Sequence, residues 1–182
     1  TKLMADRIRK LVLDILYYSK DRDLEIEEVE VWRFAKDVAL QMERRIKAAN
    51  IEFISDFPPD SGNFTIDPEI IRTALTNILE NAMEACIEDA RDIPHWIRFA
   101  TRADAANVYF EISDNGPGMD KEMASKIFQL FSSSKGKRGT GIGLFVTRKV
   151  ILKHGGTITV DSSPNQGASF RITLPRKPHV AS

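Results

Sequence analysis

Cysteine, histidine and net charge are all scarce in this chain of 182 residues. With one cysteine, Cys86, and three histidines, the sequence offers neither an internal disulfide nor a Cys/His cluster for zinc. The 26 basic residues equal the 26 acidic ones, which argues against nucleic acid or an anionic membrane as a partner. No apolar run approaches the length of a membrane span, and no signal peptide pattern is recognisable. We expect a reducing, cytoplasmic compartment for these residues, although a longer parent protein could be anchored in a membrane.

Residues 1–22 are predicted to form one amphipathic helix. Its apolar residues follow each other in steps of four and three, at Met4, Ile8, Leu11, Ile15 and Tyr18. This spacing is typical of a helix that packs against a partner helix. The polar stretch from Ser19 to Glu28 lacks a strong apolar face and is interpreted as a connector. We therefore predict a helical appendage over residues 1–22 and one compact domain over residues 23–178.

The remaining sequence alternates between helical and strand patterns. The predicted helices run from Val31 to Ile46, from Pro68 to about Ala90, near Lys121 to Phe128, and onward from Gly139–Gly143 to a stop at Gly155-Gly156. The predicted strands cover Ile51–Phe57 and two hairpins, Trp96–Thr101 with Val108–Ser113 and Thr157–Val160 with Ala168–Leu174. Asp67 supplies an N-cap for the helix that begins with Pro68. This order predicts a two-layer α/β sandwich.

A glycine-rich turn follows the strand that is predicted to end at Ser113. Its sequence is Asp114-Asn115-Gly116-Pro117-Gly118. A carboxylate can accept a hydrogen bond from an exocyclic amine, and glycines let the backbone approach a ligand closely. Asp114 would thus favour adenine over guanine, which presents a carbonyl at that position. The alternative is a purely structural turn without a ligand, since these residue types are common in turns.

A second glycine-rich run, Gly139-Thr140-Gly141-Ile142-Gly143-Leu144, precedes an apolar helical stretch. Backbone amides and the dipole at a helix start can bind phosphate oxygens, and the Thr140 hydroxyl could add a donor. The run is neither a P-loop nor a dinucleotide-binding fingerprint. The polar segment before it is a candidate lid, in which Lys135 and Arg138 could neutralise phosphate charge. A solvated loop is the alternative, and we favour that alternative for Lys137.

Asn77 and Asn81 stand four residues apart on the predicted helix that begins at Pro68, and so share one face. Their neutral amide oxygens suit a magnesium ion that keeps several waters and is held mainly by nucleotide phosphates. A solvated helix face is the alternative, but the neighbouring positions are apolar and burying unpaired amides would be costly. Glu80 and Glu84 lie off this line and are expected to be surface acids. Together the three clusters predict a site for ATP and its metal.

Five segments of the chain resemble the N, G1, F, G2 and G3 boxes of the histidine kinase ATP-binding domain. They are Asn77-Ile-Leu-Glu-Asn81-Ala, Asp114-Asn-Gly-Pro-Gly, Phe128-Gln-Leu-Phe131, Gly139-Thr-Gly-Ile-Gly-Leu and Gly167-Ala-Ser-Phe170. Five boxes in family order over roughly residues 28–175 are far more specific than any one motif. The resemblance implies the Bergerat fold of the gyrase, chaperone, histidine kinase and mismatch-repair superfamily: a mixed sheet with helices on one face, and ATP between helices and lid.

The resemblance also implies roles for individual residues. Asn81 would be the principal magnesium ligand, with Asn77 as a second, and Asp114 the adenine anchor. The implied nucleotide-binding set comprises Asn77, Asn81, Asp114, Gly116, Gly118, Met119, Phe131, Lys135, Gly139, Thr140, Gly141, Ile142, Gly143 and Leu144. Asn77, Lys135 and Arg138 would serve phosphoryl transfer. Because Glu84 stands where many family members have lysine, more of the phosphate charge would rest on Lys135 and Arg138.

Asn77 separates the enzymes within this superfamily. Its ATP hydrolases and serine-directed kinases usually carry a glutamate at that position, a general base that an amide cannot replace. A neutral imidazole is already nucleophilic, so Asn77 favours transfer of the γ-phosphoryl group to a histidine, with poor ATP hydrolysis. The alternatives are a degenerate, nucleotide-gated binding module and a Bergerat-fold ATP hydrolase.

The phosphoacceptor of such a kinase is absent from this sequence. Residues 1–20 resemble the end of the second dimerisation helix, which pairs two protomers in a four-helix bundle. The acceptor motif is a histidine followed by an acid, and none of His95, His154 and His179 has an acid after it. We therefore predict the catalytic domain of a sensor histidine kinase, a homodimer through its N-terminal helix, with its acceptor histidine elsewhere and a response regulator receiver domain as the final acceptor.

Overall fold

The computed structural model of the protein describes residues 23–129 and 142–178. Within these residues the chain forms seven strands and four helices, in the order β1 (Glu27–Glu30), α1 (Val31–Ala48), β2 (Glu52–Asp56), β3 (Asn63–Ile66), α2 (Pro68–Glu88), β4 (Trp96–Ala103), β5 (Asn107–Asp114), α3 (Lys121–Lys126), α4 (Gly143–Lys153), β6 (Thr157–Ser162) and β7 (Ala168–Pro175). The predicted helix over residues 1–22 lies outside the described residues. The domain boundary at residue 23 stays a prediction.

Five strands form one mixed sheet in the order β2-β4-β5-β7-β6. The β2–β4 pair is parallel and the other three pairs are antiparallel. Along β5 the residues Val108, Phe110 and Ile112 are buried, whereas the alternate positions Tyr109 and Glu111 are partly exposed. One face of the sheet is therefore covered by the helices and the other is in contact with solvent. The predicted two-layer α/β sandwich with a mixed sheet is confirmed.

The core lies between this sheet and helices α1 and α2. Helix α1 buries its apolar stripe because the spacing of Val31, Phe34 and Val38 places those side chains on one face. Phe34 makes an edge contact with Phe64 at a centroid distance of 5.8 Å. Cys86 is 2% exposed, and burial raises the pKa of its thiol to about 12, so the expectation that it is a core residue is confirmed. Across the described ranges, no helix combines the length and apolarity needed to cross a membrane.

A second, two-stranded sheet was not predicted. Strands β1 and β3 pair antiparallel, from Glu27 opposite Ile66 to Glu30 opposite Asn63. The interpretation of the stretch up to Glu28 as a connector is therefore wrong at its C-terminal end. The reason is physical: β1 has the sequence Glu-Glu-Val-Glu and carries almost no apolar alternation. Its strand conformation comes from pairing with residues nearly forty positions away, which local periodicity cannot show.

The start of helix α2 is joined to the end of helix α4. Asp67 caps α2 by accepting a hydrogen bond from the Ile70 N–H at 3.2 Å, as predicted, and its other oxygen accepts from the Glu25 N–H at 3.0 Å. The Asp67 N–H donates to Nε2 of His154 at 3.1 Å. Because Nε2 accepts, Nδ1 carries the proton and donates to the Val150 carbonyl at 2.8 Å. His154 is buried, which lowers its pKa, and it has a structural role between the two helices.

Candidate nucleotide-binding site

Asp114 is the last residue of β5 and is 5% exposed. The turn that follows folds back on it, so that the Gly116 N–H donates to Asp114 Oδ1 at 2.9 Å. A Cβ atom at Gly116 would lie 2.9 Å from that oxygen and 3.4 Å from Ala85 of helix α2. Glycine suits this position because a Cβ atom would be too close to the Asp114 carboxylate, whereas its distance to Ala85 is ordinary van der Waals contact. Burial raises the pKa of Asp114 to about 6.

Two glycines with positive φ join this turn to the loop between β6 and β7. Gly118 has a φ of 65°, and a Cβ atom there would lie 2.0 Å from the Ser163 carbonyl oxygen. Gly167 has a φ of 74°, and its Cβ atom would lie 1.9 Å from the carbonyl oxygen of Asp114. Both distances are far below van der Waals contact, so the two loops touch backbone to backbone.

Three hydrogen bonds support the same junction. The Met119 N–H donates to the Ser162 hydroxyl at 2.9 Å, and that hydroxyl donates to the Gly167 carbonyl at 2.6 Å. The Asn165 N–H donates to the Pro117 carbonyl at 2.7 Å. The sequence analysis did not identify Ser162 or Asn165. Ser162 contributes through its hydroxyl and Asn165 through its backbone N–H, and neither contribution can be recognised before the partner loop is known.

Asn77 lies on helix α2 and faces helix α4. Its Nδ2 donates to Oγ1 of Thr147 at 3.1 Å, and Thr147 is 2% exposed. A Cβ atom at Gly143 would lie 2.7 Å from both Nδ2 and Oδ1 of Asn77, so Gly143 packs directly on the carboxamide. Helix α4 therefore sets the rotamer of Asn77, and the amide oxygen points away from Thr147. Thr147 was missed, and its only signal is a polar residue one turn after Gly143 on an otherwise apolar helix face.

Asn81 and Ala85 continue the line of Asn77 along helix α2 in steps of four residues. Asn81 is half-buried, and Ala85 contacts Gly116. The line thus begins at Gly143 of helix α4 and ends at the turn after Asp114, a distance of roughly 12 Å along the helix axis. The structure therefore brings the asparagine pair, Gly143 of the second glycine run and the Asp114 turn to one side of helix α2.

Helix α4 begins at Gly143 with Ile142 in the N-cap position. An isoleucine side chain cannot accept hydrogen bonds, and backbone N–H groups at a helix start suit phosphate oxygens. The side chain of Ile142 is buried and that of Leu144 is partly buried against the core. The other predicted residues of this end lie outside the described residues: Phe131, Lys135, Arg138, Gly139, Thr140 and Gly141.

The donor set suits magnesium better than a tightly chelated metal. Among residues 23–129 and 142–178, no group of three or more His, Cys, Asp or Glu side chains could hold a metal ion. Amide oxygens alone are weak ligands, so a divalent ion here would depend on phosphate oxygens and water, as Mg²⁺ does in nucleotide sites. The two asparagines therefore fit Mg²⁺ bound together with a nucleotide.

A cavity of about 270 Å³ lies between helices α1, α2 and α4 and reaches Asn77. Glu80, Gly143 and Thr147 are among its lining residues. Arg45 pairs with Glu80 at 2.7 Å, so Glu80, expected to be a surface acid, is a partly buried member of an ion pair. Glu84 is exposed, as expected for a surface acid.

The fold and the site together define a nucleotide-binding domain. It is built on the long helix α2, a mixed sheet, the turn after Asp114 and the start of helix α4 at Gly143. Residues 66–178 match the family model described as "Histidine kinase-, DNA gyrase B-, and HSP90-like ATPase". The match covers more than half of the chain, and the chain belongs to this family.

Relatives and solved structures place the chain among the histidine kinases of that family. It is 33% identical over 175 residues to the adaptive-response sensory kinase SasA of Crocosphaera subtropica, an alignment that covers 92% of this chain and 45% of that protein. The chain thus spans less than half the length of this relative. The nucleotide-free catalytic domain of histidine kinase ThkA superposes with a TM-score of 0.74 at 29% identity, covering 85% of this chain and 100% of that one.

A further solved structure contains ThkA in complex with the response regulator protein TrrA. The ThkA chain superposes with a TM-score of 0.80 at 27% identity, covering 99% of this chain and 50% of that one. The fold implied by the resemblance is therefore confirmed: this is the fold of a histidine kinase catalytic domain.

Proposed function

We propose that this domain binds Mg-ATP along helix α2 and transfers the γ-phosphoryl group to a histidine of a dimerisation helix, from which the aspartate of a response regulator takes it. One observation carries the proposal. Asn77, Asn81 and Ala85 lie along one side of helix α2, between the start of helix α4, whose backbone N–H groups suit an anion, and the buried carboxylate of Asp114. Asp114 would accept a hydrogen bond from the adenine amine. Gly116 and Gly118 would support this contact by letting the turn fold back on Asp114 and pack against the loop between β6 and β7.

At the other end, the oxygens of Asn81 and Asn77 would hold Mg²⁺ together with the phosphates. The ion would neutralise the charge that develops on the transferred group. The backbone at the start of helix α4 would contact phosphate oxygens. Phe131 would shape this end of the site. The lid residues Lys135 and Arg138 would add positive charge, and the Thr140 hydroxyl would add a hydrogen-bond donor.

The chemistry of transfer needs no glutamate at position 77. The lone pair of a neutral imidazole nitrogen forms the N–P bond while the P–O bond to the β-phosphate breaks, ADP leaves, and the other ring nitrogen releases its proton. Hydrolysis instead requires a base to activate water, and the Asn77 amide, which donates to Thr147, cannot act as one. We therefore expect slow ATP hydrolysis by the domain alone.

The partners follow from the same proposal. The response regulator bound to ThkA is the partner of that relative, and the likeness supports a receiver domain as a partner here. The predicted helix over residues 1–22 would join two copies of the chain. The domain would act in the cytoplasm, whether or not a parent protein is anchored in a membrane.

Calorimetry and a transfer assay test this proposal. The chain should take up ATP in the presence of Mg²⁺ and much less in the presence of a chelator. With γ-labelled ATP it should then label a dimerisation fragment that carries an intact histidine, and the label should be acid-labile. The same fragment with that histidine replaced by alanine is the control.

Three outcomes would contradict the proposal in different ways. If folded protein shows no magnesium-dependent binding of ATP, the proposed nucleotide site does not exist. Uptake without transfer would instead favour the nucleotide-gated binding module. Rapid, steady hydrolysis by the isolated domain would favour the hydrolase.

A further inference from the structure

The segment between helix α2 and strand β4 contains an arginine that lies behind the Asp114 turn. Nη2 of Arg91 donates to the carbonyl oxygens of Asn115 at 2.8 Å and Gly116 at 2.6 Å. Its Nη1 donates to the carbonyl of Asn165 at 2.9 Å, in the loop between β6 and β7. One guanidinium therefore joins the two loops that form the adenine end of the site.

Asp89 holds this guanidinium in place. The Nε atom of Arg91 lies 3.0 Å from Oδ1 and 2.9 Å from Oδ2 of Asp89, and Nη2 lies 2.5 Å from Oδ2. The Asp89 side chain is only 2% exposed, and that of Arg91 is 29% exposed. These hydrogen bonds hold the pKa of Asp89 below its usual value. A planar guanidinium suits this place because it can donate to a carboxylate and to several carbonyls at once.

Arg91 acts on the peptide unit that fixes the adenine anchor. The carbonyl of Asn115, which belongs to the same peptide unit as the Gly116 N–H, accepts from Arg91, and that N–H donates to Asp114 Oδ1. The carbonyl of Gly116 also accepts from Arg91. A change in the position of Gly116 would therefore change the orientation of the Asp114 carboxylate. The side chain of Arg91 approaches the turn from the side of its carbonyl groups, and it donates to Asp89 and to both loops.

The turn keeps other supports when Arg91 is removed. The Asn115 side chain accepts from the Trp96 N–H at 2.8 Å and donates to the Pro94 carbonyl at 2.9 Å. The backbone contacts of Gly118 and Gly167 also remain. Loss of the guanidinium should therefore loosen the turn rather than unfold the domain.

We infer that Arg91 is a positioning residue for adenine binding, which holds the Asp114 turn in its binding geometry before the nucleotide arrives. The inference rests on the proposed function, since it concerns the same pocket. A turn that is ordered beforehand does not lose its freedom on binding, so a loosened turn should bind ATP more weakly. The reacting end of the nucleotide lies at the other end of helix α2, so the transfer step itself should be unaffected.

The test compares Arg91→Ala and Arg91→Lys with Arg102→Ala. Arg102 is an exposed arginine on β4 that pairs with Asp56 at 2.6 Å, so it controls for the loss of a charged pair elsewhere. Calorimetry should show Mg-ATP binding weakened about tenfold in Arg91→Ala, the lower range for losing hydrogen bonds to a charged group. The affinity of Arg91→Lys for Mg-ATP should lie between those of Arg91→Ala and the wild type. Arg102→Ala should bind Mg-ATP with the affinity of the wild type.

Transfer kinetics separate positioning from general damage. In Arg91→Ala the KM for ATP should rise while kcat at saturating ATP stays unchanged, because partial unfolding would lower kcat instead. With Asp114→Ala as the background, the effect of Arg91→Ala should shrink to about threefold or less, since both act on the same contact. If Arg91→Ala does not fold, Arg91→Lys gives the same comparison.

The outcomes distinguish this inference from the proposed function. Wild-type protein that does not bind Mg-ATP overturns both. Wild-type binding with equal affinity in Arg91→Ala, or a fully additive double variant, overturns only the role of Arg91. A fall in kcat with an unchanged KM also overturns it.

Discussion

The two ends of the candidate site are built in different ways. At the adenine end, backbone meets backbone: two glycine turns touch, and Arg91 and Ser162 join them by hydrogen bonds. At the phosphate end the described contacts belong to side chains, above all the Asn77 amide on Thr147. The geometry of the adenine end is therefore fixed by packing. The geometry of the phosphate end depends on the two asparagine amides and on the start of helix α4. Substitutions should therefore act differently at the two ends.

The largest effect should come from Asp114→Ala, which removes the only charged group that the proposal places on adenine. Loss of a hydrogen bond to a charged group costs about 1.5–3 kcal/mol, or about 10- to 100-fold in affinity. Calorimetry with Mg-ATP measures this, with Asp161→Ala, an exposed aspartate on β6, as the control. Unchanged affinity in Asp114→Ala would show that adenine does not bind at this end.

A smaller effect is expected at the phosphate end from Thr147→Val. The valine keeps the shape of threonine but leaves the Asn77 amide without its acceptor, so Asn77 can turn away from the metal. We expect binding of ATP to weaken about three- to tenfold at limiting Mg²⁺ and to recover as Mg²⁺ is raised. Thr147→Ser keeps the hydroxyl and should behave like the wild type. Equal magnesium dependence in all three proteins would exclude Thr147 as the residue that orients Asn77.

The smallest effect concerns pH and again tests the adenine end. Burial raises the pKa of Asp114 to about 6, so below that pH the free protein carries the neutral acid, a weaker acceptor for the adenine amine. Between about pH 7.5 and about pH 5.5 this protonation should weaken binding by about fourfold. Asp114→Asn does not titrate, and its pH profile provides the contribution of the phosphates. Identical profiles for the two proteins would contradict the assignment.

The same pKa has a consequence for stability whose sign is opposite to that of an ion-paired carboxylate. The folded pKa of Asp114 lies above the value of 3.8 for a free aspartate, so the folded state binds the proton more tightly. The stability from this group is present below about pH 3.8 and is lost as the pH rises through about 6. In the absence of nucleotide, the charged carboxylate therefore destabilises the adenine end at neutral pH.

The main elements of the fold could be predicted because their patterns are local. Helix α2 has an N-cap, a proline at its first position and an apolar stripe, and β5 alternates between buried and partly exposed residues. Strand β1 could not be predicted in this way, because three of its four residues are glutamates. Its pairing with β3 depends on where the chain returns, which no short window contains.

The candidate site divides along the same line. Asp114, Asn77 and Asn81 could be identified because carboxylates and amides carry a chemical meaning at their positions. Arg91 could not, because a single arginine in a loop has no periodicity, and its hydrogen bonds to the two loops go to carbonyl groups that every residue possesses. The sequence therefore indicates candidate ligand-binding groups more readily than the groups that hold them in place.

The close backbone contacts of Gly118 and Gly167 limit which sequence changes the loop of residues 163–167 can accept. A hairpin tip at the surface is ordinarily where a chain accepts insertions, tags and sequence drift. Here the Cβ position of Gly118 is 2.0 Å from the Ser163 carbonyl and that of Gly167 is 1.9 Å from the Asp114 carbonyl, so this tip packs directly against the turn that we propose for adenine. An engineer who wishes to graft a peptide or a fluorophore onto the domain should leave this hairpin untouched, and choose the turn between β4 and β5 at the far end of the sheet instead.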